Sequence, residues 1–148
     1  MITLSIFIIV AGFIIGLGAV TVIDLHGFLG RTSAYWTEAT TRTHRVTKPL
    51  IWIGTFLILI GGILFYQNYP FELIQKIHII SIILMILNGL FLSFSVSPFL
   101  IKREEEGKSR ELLPQSWQNK IILSFIVSFL LWWGNLGLFI SFLSSHIS

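Results

Sequence analysis

Asp24, His26, Glu38 and His44 are the residues of this sequence whose types could together hold a metal. Carboxylate and imidazole donors suit a hard-to-borderline divalent ion, and His26 with His44 could ligate the iron of a haem b. Spacing limits the simple versions of both ideas. Asp24 and His26 are two residues apart, which sets them about 200° apart around a regular helix. Glu38 and His44, six apart, are also poorly aligned, and no H-x3-H or E-x-x-H pattern occurs. The two histidines stay open as a pair because each would come from a different segment. Other chemistry is missing. There is no cysteine, which excludes disulfides, thiolate metal sites, iron–sulfur clusters and a cysteine nucleophile. There is no Gly-rich phosphate loop, no G-x-S-x-G elbow and no H-E-x-x-H. Catalysis finds no support.

The elements that must position these residues follow from composition. The chain has 148 residues, of which 54% are hydrophobic and 11% charged, and a mean hydropathy of +0.84. A soluble domain carries roughly 25% charged residues, so there is too little polar surface here to cover a globule in water. The sequence reads as an all-α integral membrane protein. A crossing helix needs about 20 apolar residues, and four stretches meet or approach that: Ile2 to Ile23, Leu50 to Tyr66, Ile77 to Ile101 and Ile121 to Leu143. Lipid satisfies no backbone amide, so each is expected to be a helix in a single four-helix bundle. With flanks included, the helices are expected at about 2–29, 35–67, 76–101 and 116–144, with a charged loop at 102–115. The first stretch lacks a basic flank and a small-residue cleavage site, and reads as a retained helix. Pro49 falls inside the second helix, near the interface, where a kink is tolerated.

Charge sets the expected orientation. Arg31, Arg42, Arg45 and Lys48 lie between the first and second spans, and Lys102, Arg103, Lys108, Arg110 and Lys120 between the third and fourth. The opposite side has only Lys76. Basic segments stay in the cytoplasm, so both termini are expected outside. Arg42, Arg45 and Lys48, among six threonines from Thr32 to Thr47, could touch lipid headgroup phosphates. Basic residues confined to membrane ends exclude nucleic acid as a partner.

Lipid offers no hydrophobic drive for helix association, so small and polar residues must supply it. Gly12, Gly16 and Ala19 line one face of the first helix, against a partner in this chain or in a second protomer. Gly61 and Gly62 offer a similar gap on the second. Asn88 and Asn135, each near the middle of its span, are expected to pair with one another, and Ser128 shares the face of Asn135. That face could hold the helices together or line a path for a small solute. Asp24 is expected near the headgroups, paired with Arg31, Arg42 or Arg45. His78 is expected at the interface, and no acid or histidine is expected near the midplane.

The segments V-T-K-P-L-I-W-I-G-T-F-L-I-L-I-G-G, L-N-G-L-F-L-S-F-S-V-S-P and D-L-H-G-F-L-G-R are similar to those of small, uncharacterised four-helix membrane proteins of bacteria. That group resembles, distantly, the membrane domain of copper-resistance D-type proteins. The matching positions are Asp24, Trp52, Gly54, Gly61, Lys76, Asn88, Gly89 and Pro98. The resemblance implies a four-helix bundle in a bacterial-type inner membrane and no particular reaction. Copper handling would lean on methionine and histidine, and the chain has two methionines. Small four-helix proteins that bind haem provide a further analogy. The leading expectation is a non-catalytic accessory or assembly subunit, or a homo-oligomer, acting through helix packing. A haem- or metal-binding redox or maturation protein is the alternative, and a small-solute carrier the third.

Overall fold

The computed structural model describes residues 1–147. It is all helix: α1 (Ile2–Leu29), α2 (Ala34–Tyr66), α3 (Leu73–Phe91), a π-helical turn (Leu92–Val96), α4 (Ser97–Glu105) and α5 (Gln115–Ile147). Four helices are long and apolar enough to cross a membrane, the third being α3, the π turn and α4 run together. The chain is a small integral membrane protein.

Local chemistry explains the breaks. Gly30 ends α1, its N–H donating to the His26 carbonyl at 2.8 Å. The Ser33 hydroxyl caps α2 by accepting from the Trp36 amide. Glu72 and Gln75 form a reciprocal capping box at the start of α3. Pro49 sits within α2 without ending it. The π turn precedes Pro98, which stands in the first turn of α4. Proline has no N–H to offer the carbonyl four residues back and its ring crowds that carbonyl, so the ladder widens there. The Ser97 amide accordingly donates to Leu92, five residues back. Lys102 to Glu105, expected in the loop, complete α4. The following turn needs Gly107 at φ +74°. There the Lys108 ammonium, bonded to Glu106, holds that carboxyl below its usual range.

α1 and α2 form the tightest pair. A Cβ on Gly12 would lie 2.8 Å from the Gly54 carbonyl oxygen, and one on Gly61 would lie 2.9 Å from the Ile9 nitrogen. The glycine face of α1 therefore meets α2 of the same chain. Gly62, beside Gly61, meets nothing within 4 Å.

α3 and α5 run antiparallel, and their register corrects one expectation. Asn88 does not pair with Asn135. Its amide donates to the Ser124 carbonyl at 3.1 Å, and the Ser124 hydroxyl returns a bond to its oxygen at 2.6 Å. Asn135 lies 11 residues beyond Ser124, about 16 Å along the helix, and meets His78 instead. Asn88→Leu should cost about 1 kcal/mol, in line with interhelical polar contacts in membranes. A double-mutant cycle with Ser124→Ala, read by unfolding in mixed micelles, measures it.

Candidate functional site

At the charged end of the bundle, α1, α2, the π turn and α5 line a partly open cavity of about 60 Å³. That is room for a few waters. Its walls are largely apolar, with Ile23, Ile51, Val96 and Phe125 among them, but three ionisable groups face it: Asp24, His44 and Lys48. A second cavity of about 30 Å³ continues toward the bundle centre, sharing Asp24, Trp52, Gly89 and Leu92 with the first and adding Asn88, Ser128 and Trp132.

Each polar group is set by its helix. Thr40, His44, Lys48 and Trp52 recur every four residues, giving α2 one polar stripe toward the cavity. Lys48 Nζ donates to the Ser93 carbonyl at 3.2 Å, and Trp52 Nε1 donates to the Ser93 hydroxyl at 3.0 Å. The π turn presents both acceptors, so the irregular backbone faces protein and not lipid. Asp24, on α1, is 9% exposed and shares the lining of the second cavity with Ser128. Its Oδ2 and the Nε2 of His44 are both buried without a partner. Buried polar atoms ordinarily find one, because leaving them bare costs about 1–3 kcal/mol each.

Asp24 is therefore not a surface carboxylate paired with arginine. Arg42 pairs with Glu38 at 2.7 Å and Arg45 with Glu104 at 2.6 Å, while Arg31 lies over the Phe28 ring. Glu38 also receives Arg110 at 3.0 Å and sits in this outer network. Of the three residues assigned to headgroups, Arg42 and Arg45 thus have carboxylate partners and Lys48 turns inward. His26 is held elsewhere, with Nδ1 3.2 Å from the Thr43 hydroxyl and its ring on Trp36. Among the described residues no group of three or more His, Cys, Asp or Glu gathers to hold a metal. Asp24, His26, Glu38 and His44 do not form one site.

A second polar cluster lies toward the other end. His78 is buried within the bundle. Its Nε2 donates to the Asn135 carbonyl at 2.9 Å, which leaves Nδ1 to accept from the Tyr66 hydroxyl. These residues line a third cavity of about 20 Å³, and Asn135 Oδ1 is buried there without a partner. The polar stripe on α2 was visible in the spacing of Thr40, His44 and Lys48. On α3 the inward face carries Gln75, His78 and Asn88, too widely spaced among apolar residues to draw a continuous stripe.

The chain matches no known protein family, no characterised protein and no solved structure.

Proposed function

We propose that this membrane protein binds a small hydrogen-bonding solute in the cavity at its charged end, in a carrier role. The observation that carries this reading is that Asp24 and His44, from two helices, line one cavity and each keeps a buried polar atom, Oδ2 and Nε2, without a partner. A scaffold gains nothing from such a pair, whereas ionisable residues kept inside a membrane bundle mark solute and ion sites. The excess of basic residues at that end favours a cytoplasmic position for it, with both termini on the outer side of a bacterial-type inner membrane. A second reading, an accessory or assembly subunit, draws on α3, whose buried residues are Gln75, His78 and Met85. The α1 glycine face lends it no support, being occupied by α2. The haem or metal reading is weaker still, since the cavity accommodates waters and not a porphyrin.

The chain lacks cysteine, so single-cysteine probes report cleanly. Ser93 lines the cavity, whereas the adjacent Phe94 is 74% exposed on the lipid-facing surface. In liposomes, Ser93→Cys should react with aqueous silver ion much faster than Phe94→Cys, scored by residual thiol after denaturation. Equal rates would sink the reading. Asp24→Asn should leave thermal stability unchanged or raise it by up to about 1–2 kcal/mol, because it removes an uncompensated buried carboxyl. A clear loss of stability would make Asp24 a structural residue.

A further inference from the structure

We infer that the cavities at the two ends of the bundle are chambers of one proton path, and that the Trp132 indole is the layer that closes it. The inference rests on the carrier reading above and names what is carried. Cavities of about 60, 30 and 20 Å³ admit water and little else, so the species that fits them is a proton moving on water.

Both chambers hold groups that take up and release protons. Asp24 and His44, with Lys48 beside them, face the first. Tyr66 and His78 face the other. Each chamber is also lined by at least one residue that keeps a buried polar atom without a partner, Asp24 and His44 in the first and Asn135 in the other. Between Asp24 and the central layer, Ser128 and Asn88 line the intermediate cavity. Only O–H and N–H bonds are exchanged along this route, and every group that accepts a proton gives one up.

The separation between the chambers is thin. Thr55, Met85 and Trp132 bound the intermediate cavity, and Ile58, Ile82 and Asn135 bound the far one. Each of these pairs is three residues apart on its helix, about 4.5 Å of rise. One apolar layer therefore divides the two spaces. Trp132, 2% exposed, fills it: its ring meets Phe13 edge-on at 6.4 Å and reaches over Gly16, where a Cβ would collide with the ring. No other side chain of the layer is as large, and the Thr55 hydroxyl is already given to the Ile51 carbonyl at 2.8 Å. The indole also has the space it needs only because residue 16 is glycine.

The test uses the purified full chain in liposomes containing the pH dye pyranine, with the membrane potential clamped by potassium and valinomycin. Trp132→Ala should carry protons several-fold faster than the wild type, Trp132→Phe should stay near it, and Trp132→Leu, which thins the layer without emptying it, should fall between. Adding Asp24→Asn to Trp132→Ala should return the flux toward the wild-type value. Folded, monodisperse Trp132→Ala and Trp132→Leu proteins with wild-type flux would overturn the inference. So would a Trp132→Ala flux that survives Asp24→Asn, since that describes a plain hole. If Ser93→Cys reacts with silver while the Trp132 variants change nothing, the proton path fails and the binding site stands. An unreactive Ser93→Cys removes the site itself.

Discussion

Replacing Gly54 with valine is expected to prevent α1 and α2 from closing. A Cβ at residue 54 would lie 2.5 Å from the Gly16 Cα, 2.6 Å from the Gly16 nitrogen and 2.7 Å from the Gly12 carbonyl oxygen. All three are backbone atoms of a helix, so no rotamer change relieves the overlap and the two axes must part. Overpacking of a yielding core costs about 1–3 kcal/mol, and an unyielding contact belongs at or above the top of that range. The loss would extend beyond the seam, because Asp24 on α1 and His44 on α2 share a cavity only while these helices stay in register. Gly62→Ala is the matched control with the opposite sign. A Cβ there meets nothing within 4 Å, and an alanine in a helix interior gains about 0.5–1 kcal/mol over glycine. Loss of helical ellipticity during an SDS titration reads both. A Gly54→Val protein as resistant as the wild type would mean that the close approach is not what holds the pair.

The second large effect is expected from Phe65→Ala. Phe65 is fully buried, with the rings of Tyr66, Tyr69, Phe139 and Phe142 centred 5.1 to 5.8 Å from its own. Truncating a buried phenylalanine costs about 3–5 kcal/mol in a soluble core. In a membrane the separated helices rest in lipid, which is as apolar as the core, so the transfer contribution shrinks and the lost contacts remain. The value should therefore fall near the bottom of that range, about 3 kcal/mol. Tyr66 would lose a ring neighbour as well, loosening its bond to His78. Phe94→Ala, at a side chain 74% exposed, should change stability little. The same titration compares the two, and equal losses would refute the packing argument.

The four spans were legible because a bilayer enforces length and apolarity in sequence, whatever packs against what. The interior was much less so. In a soluble helix the apolar stripe marks the inward side, but here apolar residues dominate every side of α3, and the inward turn of His78 shows only as one of three scattered polar residues, with Gln75 and Asn88. The pairing of Asn88 with Asn135 failed for a related reason. Both were placed by their distance from span ends, while the actual partners, Ser124 and His78, depend on how far α5 slides along α3. Asp24 looked superficial because it was counted as a position along a helix axis, and depth along an axis does not measure burial within a bundle. Two signals were present and went unread. Proline at residue 98 disturbs the turn before it, which is where the π turn forms. The four-residue spacing of Thr40, His44, Lys48 and Trp52 draws the polar line that meets that turn.

The glycine seam also distributes stiffness unevenly. With backbones in touching distance at Gly12, Gly16, Gly54 and Gly61, α1 and α2 can neither slide nor twist against each other without collision, and they act as a fixed frame. α3 and α5 are joined by side-chain clips at two points, Asn88 with Ser124 and His78 with Asn135, and side chains also tie them to the frame, Lys48 and Trp52 to Ser93 and Tyr66 to His78. The buried carboxyl of Asp24 thus stands on the stiffer of the two pairs, at a position that the seam fixes relative to His44.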